Sequence, residues 1–300
     1  MAPRRTALAV PLLVAVTAVW GSTFVVVKDA VARMPVMGFL VWRFAIATAV
    51  MVVLRPRALA GLGAAGWRRG GLLGLALAGG YVAQTYGLRT ISAAASGFVT
   101  GMFVVFTPLI SAVALRRRVP GAAWAGVGLA TAGLALISLN GSGRGGGLGI
   151  GTGELLTVVC AFAYAVQLVG LGEWSARHDP YALAVVQLAT VTVVALVAAL
   201  PGQLEVPPDG GVWAAVLVTS VLATAVAFLV QTWAQSFMSA TRAAVVLTME
   251  PVFAGLAAVA AGERLDWRVP AGGALVLAAM YLVELGPRAG RDAEVGRLEA

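Results

Sequence analysis

The sequence predicts an all-α integral membrane protein: ten transmembrane helices arranged as two inverted five-helix repeats around a central cavity. Three observations predict it. Of the 300 residues, 60% are apolar and only 11% charged, against about 25% charged in a typical soluble domain. Apolar runs of roughly 20 residues, the length that crosses a bilayer's hydrocarbon core, recur from end to end. The landmarks of the first half return in the second at a nearly constant offset.

In chain order the runs fall at 8–27, 37–54, 71–90, 93–115, 121–139, 152–171, 181–200, 212–234, 240–261 and 269–286. The first follows Arg4 and Arg5 and resembles a signal peptide at its start. It continues through Trp20, Gly21 and Ser22 to Val27, which is full spanning length, so it is read as a retained helix. Several runs are rich in Gly and Ala, which lets helix backbones approach closely in lipid. The connections are short and carry Pro, Gly or Arg, as at Arg55-Pro56 and Asp179-Pro180. They leave no room for a soluble domain.

The net charge of +8 does not indicate a nucleic-acid surface, because the basic residues lie between apolar runs rather than along one face. They read as topology signals. With a cytoplasmic N-terminus, fourteen Lys and Arg fall on the cytoplasmic side, the Arg116-Arg117-Arg118 anchor among them, and six on the other. Both termini are therefore expected in the cytoplasm. One cysteine, Cys160, excludes an intrachain disulfide, and with one histidine, His178, there is no Cys/His metal cluster.

Gln84-Thr85-Tyr86 matches Gln231-Thr232-Trp233 at an offset of 147. Pro108 and Trp124 match Pro251 and Trp267 at 143, Trp20-Gly21 matches Tyr164-Ala165 at 144, and Arg43 matches Gln187 at 144. The change from 147 to 143 implies the loss of one helical turn between the eighth and ninth spans, and makes Thr107 the twin of Glu250. Five spans per half is an odd number, so the halves must be inverted, an arrangement typical of secondary transporters. The expected organisation is a first repeat at 1–139, a linker at 140–151, a second repeat at 152–286 and a disordered cytoplasmic tail at 287–300. The linker contains G-x-G-x-x-G at Gly141, Gly143 and Gly146. It joins two membrane spans and lacks the strand–turn–helix context of a phosphate loop, so it is read as flexible.

With these landmarks in place, the chain resembles the EamA-type branch of the drug/metabolite transporter superfamily over nearly its whole length. The resemblance rests on AVWGSTFVVVK, on Trp42-Arg43-Phe44, and on QTYGLRTISAAASGFVTGMFVVFTPL in the first half. In the second half it rests on QTWAQSFMSATRAAVVLTMEPVF and GERLDWRVPAGGALVLAAM. It implies ten helices in two inverted repeats, a central cavity, and export or exchange of small metabolites, amino acids or drugs.

Candidate cavity residues follow from chemistry at membrane depth. Glu250 stands mid-span in an apolar helix, where a charge costs about 2.5–3.5 kcal/mol on insertion scales. It could bind a cationic group, carry a coupling proton, pair with Arg43, or be satisfied by hydroxyls. Arg43, near the centre of the second span, must face protein or a wet cavity. It could bind a substrate carboxylate, or pair with Glu250 or helix carbonyls. Gln84 and Gln231, and less strongly Gln167 and Gln187, are either matched polar contacts to cargo or interhelical hydrogen bonds. Trp20, Tyr164 and Trp233, with Tyr81 and Tyr86 behind them, are apolar walls with polar handles. Thr100 and Met249 lie near the prolines and could face the same space. Pro108 and Pro251 are candidate hinges.

Enzyme classes find little support. There is no H-E-x-x-H, no aspartate inside a span and no Walker lysine motif. The expectation is a secondary transporter of the bacterial cytoplasmic (inner) membrane, working by alternating access, with no cofactor and no metal. Its partners would be a small-molecule substrate, the lipid bilayer and, through Glu250, a proton. It would act as monomer or homodimer, without nucleic acid. The alternative is a non-transporting membrane scaffold or receptor.

Overall fold

The computed structural model describes residues 2–114, 121–138, 151–200, 202–238 and 240–285. The Arg116–Arg118 anchor, all but the last residue of the expected linker, and the expected tail lie outside these residues. Among the described residues there is no strand.

The helices follow the apolar runs. They are α1 (Ala2–Arg33), α2 (Val36–Leu54), α3 (Gly63–Leu88), α4 (Ala93–Thr100), α5 (Phe103–Ala114), α6 (Gly121–Ser138) and α7 (Thr152–Trp174). Then come α8 (Pro180–Ala199), α9 (Gly210–Ser220), a π turn (Val221–Val226), α10 (Ala227–Gln235), α11 (Ala240–Leu247), α12 (Glu250–Ala260) and α13 (Arg268–Leu285). Local chemistry sets several starts. Ser92 Oγ accepts from Ala95 N at 3.0 Å. Asp179 Oδ1 accepts from Tyr181 N at 2.8 Å with Pro180 in the first turn, and Asp209 Oδ1 accepts from Val212 N at 2.9 Å. Each side chain satisfies an amide that the helix itself leaves unpaired.

Six stretches are long and apolar enough to cross a membrane: Leu8–Arg33, Val36–Leu54, Ala93–Ala114, Thr152–Arg177, Pro180–Ala199 and Gly210–Gln235. Trp124–Ile137, Glu250–Ala260 and Arg268–Leu282 are shorter apolar helices. The third expected span coincides with α3, whose apolar character is diluted by Arg68, Arg69 and its glycines. Large apolar side chains such as Val53, Leu75, Phe162, Val197 and Val259 are exposed on the outside, as lipid solvent allows and water would not.

Three expected spans are not continuous. The fourth breaks at Gly101-Met102 between α4 and α5, and the ninth at Thr248-Met249 between α11 and α12. The eighth is loosened by the π turn. Tighter bonds keep the first break satisfied: Met102 N reaches Val99 O at 3.1 Å, and Val104 N reaches Gly101 O at 3.1 Å. This is how a broken helix survives away from water. The breaks also correct the repeat register. α4 and α11 begin and end 147 residues apart, and so do the starts of α5 and α12. The four-residue shift to the proline offset therefore falls inside the ninth span, after its break, and not before it. By position in its helix, Glu250 corresponds to Phe103 rather than to Thr107, because each opens the second half of a broken helix.

The most extensive helix contacts all join α1–α6 to α7–α13. They pair α6 with α13, α3 with α7 and α8, α2 with α8, and α12 with α1 and α4. Small residues make this possible. A Cβ on Gly133 would lie 2.6 Å from Gly272 O, and one on Gly272 would lie 2.6 Å from Gly133 O. Only two glycines allow α6 and α13 to cross so closely. The chain's two ends are thus interleaved, and the buried core runs through both.

Candidate functional site

A cavity lies among α1, α2, α3, α5, α7, α10, α11 and α12. Its volume is about 60 Å3, room enough for ordered water. Eight residues singled out from sequence line it: Trp20, Arg43, Tyr81, Gln84, Tyr164, Gln167, Gln231 and Glu250. Thr100, Gln187, Trp233 and Met249 do not.

Arg43 is held firmly. Its Nε donates to Thr224 Oγ1 at 2.8 Å and its Nη2 to Tyr81 Oη at 3.3 Å. The guanidinium carbon sits 4.8 Å from the Tyr81 ring centre and 5.4 Å from that of Phe44. Hydrogen bonds and ring faces together compensate a charge that is 4% exposed. The π turn prepares this contact, since its wider coil presents Thr224 to Arg43 and frees Ala223 O for Trp20 Nε1 at 2.7 Å.

Glu250 stands apart. It opens α12, is 6% exposed and faces the cavity. Among the described residues no basic group comes within ion-pairing distance, and no hydrogen bond reaches its carboxylate. The expected Arg43–Glu250 alternative therefore gives way to Arg43–Thr224–Tyr81. The N-terminal end of α12 supplies the carboxylate with partial positive charge, which helps but does not replace a donor. Gln231 Oε1 is also enclosed and lacks a partner.

The other amides are engaged. Tyr164 Oη donates to Gln84 Oε1 at 3.2 Å, and Gln84 Nε2 donates to Thr100 Oγ1 at 3.1 Å. Thr100 thus acts behind the wall. Gln167 Nε2 donates to Gln187 Oε1 at 2.8 Å, and Gln187 Nε2 donates to Leu183 O at 3.2 Å, so Gln187 is an interhelical tie. Trp233 packs on Phe237 with ring centres 5.0 Å apart. Pro251 occupies the first turn of α12, where a missing N–H costs nothing. Pro108 lies inside α5, away from the Gly101-Met102 break. Neither proline is itself the break.

Sequence reasoning missed Phe228, Phe103 and Thr224. Phe228 lies 147 residues after Tyr81, the offset that relates the two glutamines. Trp20 meets Phe228 with ring centres 5.4 Å apart, and their offset partners Tyr164 and Tyr81 meet at 5.5 Å. Tyr81 and Phe228 themselves face each other at 6.2 Å. Thr48 and Thr192, 144 residues apart, share a hydrogen bond of 3.3 Å.

Polar ties close the helix ends above and below. Glu263 accepts from Lys28 Nζ at 3.2 Å and from Ala93 N, at the start of α4, at 3.1 Å. Arg33 pairs with Asp29 and with Asp209. The Val212 N–H and, beyond a partial opposing effect of burial, the Arg33 guanidinium hold the Asp209 carboxyl below its usual range. Arg55, just after α2, pairs with Asp179 on the connection after α7 at 2.9 Å, and Arg69 Nη1, in the first turns of α3, donates to His178 Nε2 on that same connection at 3.0 Å.

A helical bundle with lipid-facing apolar sides and a partly charged internal cavity defines an integral membrane protein built to hold a small solute. The EamA-like transporter family model matches the chain twice, over residues 7–139 and 151–285, and the chain belongs to that family. It is a membrane transporter. It is similar to two proteins of Archaeoglobus fulgidus, each described as an uncharacterized transporter. One is 31% identical over 91% of this chain and 84% of its own length. The other is 26% identical over 90% and 96%. A solved crystal structure of a protein 20% identical in sequence superposes with a TM-score of 0.68 over 94% of this chain and 98% of that one, which supports the same fold.

Proposed function

We propose that this chain is a secondary transporter that exports or exchanges a small polar or amphipathic solute by alternating access. The reading has ten crossing segments in two inverted halves, 1–139 and 152–286. The two matches to one family model support the division. The observation that carries it is the paired geometry around the cavity. Trp20–Phe228 and Tyr164–Tyr81 are one contact made twice at the repeat offset, and Tyr81–Phe228 and Thr48–Thr192 join equivalent positions to each other. Contacts of this kind are what a pseudo-two-fold axis between inverted halves produces.

On this reading the Lys28–Glu263 and Arg33–Asp209 ties close the outer end, and the Arg55–Asp179 and Arg69–His178 ties close the cytoplasmic end. The distribution of Lys and Arg favours both termini in the cytoplasm, and the proposed setting is a bacterial inner membrane. Glu250 is the proposed site of proton coupling, and the break before α12 the proposed flexing point, in place of Pro251. Flux of a metabolite panel in proteoliposomes, with and without a pH gradient, tests this. The reading expects saturable, gradient-sensitive movement of at least one solute class. Absence of flux for every class under every gradient would remove it.

A further inference from the structure

We propose that the central cavity binds an organic primary or secondary ammonium group, received by the Glu250 carboxylate and the Gln231 side-chain oxygen. A buried polar group left without a partner is costly, so unmet hydrogen-bonding demand marks where a guest would bind. Among the described residues, two side chains of the wall carry unmet acceptors: no hydrogen bond or ion pair reaches the Glu250 carboxylate, and Gln231 Oε1, turned in behind the surface, has no partner. The wall's one cation, Arg43, is already occupied by Thr224, Tyr81 and two ring faces. Gln84 and Gln167 have protein partners. What the cavity lacks is therefore a cationic donor. An ammonium group supplies charge and an N–H to Glu250, and a turn of the Gln231 amide into the cavity lets its oxygen take a second N–H of the same group. The rest of the wall suits such a guest, since Trp20, Tyr81, Tyr164, Phe103 and Phe228 offer ring surface to a cation and its alkyl stem.

This inference rests on the transporter reading, and its test is binding rather than flux so that the two can fail separately. Purified full-length protein in nanodiscs is titrated calorimetrically at one pH with isoamylammonium, its N-trimethyl derivative and isocaproate, a carboxylate of similar shape. The expected order is isoamylammonium tightest, the quaternary ion weaker because it has no N–H, and isocaproate undetectable. Glu250→Gln should weaken isoamylammonium by about 10- to 100-fold, Gln231→Leu by several-fold, and Glu250→Asp by less than Glu250→Gln. Isocaproate binding as well as the amine, or equal amine affinity in wild type and a monodisperse Glu250→Gln, would overturn the proposal. The wild-type comparison decides even if a variant misfolds. Glu250-dependent amine binding without flux in proteoliposomes would leave the site standing and remove the transport reading. Flux of other solutes without amine binding would do the reverse.

Discussion

At the scale of single residues, the cavity separates two kinds of buried polar group. Arg43 has partners for its charge, so their removal should read as lost stability. Thr224→Val and Tyr81→Phe each delete one acceptor, and each should cost about 1.5–3 kcal/mol as a bond to a charged group. A thermal melt in detergent would register both as lower midpoints. Gln187→Leu should behave differently. It removes a tie worth roughly 0.6–2 kcal/mol in a membrane but no cavity surface, so flux selectivity should be unchanged while the midpoint falls. His178 carries the pH dependence at its end of the bundle. Burial, then Arg69 and Arg177, hold its imidazole below the usual 6.5. The unfolded chain then takes up the proton first, so stability should fall as pH drops below about 6.5 toward the folded value, and should level off once both states are protonated. Melts of His178→Gln across pH 5–8 should lose that slope.

At the scale of elements, the breaks at Gly101-Met102 and Thr248-Met249 place Phe103 and Glu250 at helix starts facing the cavity. The apolar runs, the two glutamines and the charge at membrane depth were all legible in the sequence, because lipid burial imposes length and charge rules that composition exposes. The breaks were not. The first lies in apolar sequence and the second beside Glu250 and Pro251, and hydropathy is blind in both places to a changed hydrogen-bond register, while the prolines lie a few residues beyond each break. The π turn is equally silent, since Val221–Val226 contains no breaker. Arg43 was found, but its partner Thr224 was not, because only the π turn brings that hydroxyl round. Close crossing is set by glycine at Gly21, where a Cβ would lie 2.7 Å from Glu250 O and Ala254 N. Gly21→Val should force α1 away from α12 at a cost of about 1–3 kcal/mol. It should lower the melting midpoint and, since Trp20 and Glu250 move apart, also abolish flux.

At the scale of the whole molecule, the interleaving of α1–α6 with α7–α13 means that any relative movement must slide a small-residue interface and break polar ties at one end. In alternating access the cavity opens to each side of the membrane in turn. Cys160 is buried and is the chain's one cysteine, so a Cys160→Ser background allows single thiols to be placed at Gln84, at Gln231 and, as a control, at Gln187. A membrane-impermeant thiol reagent applied to right-side-out and to inverted vesicles then reads access directly, with no cargo needed. Alternating access predicts labelling at positions 84 and 231 from both sides and at 187 from neither. Labelling of the two cavity positions from one side only, or from neither, would contradict it.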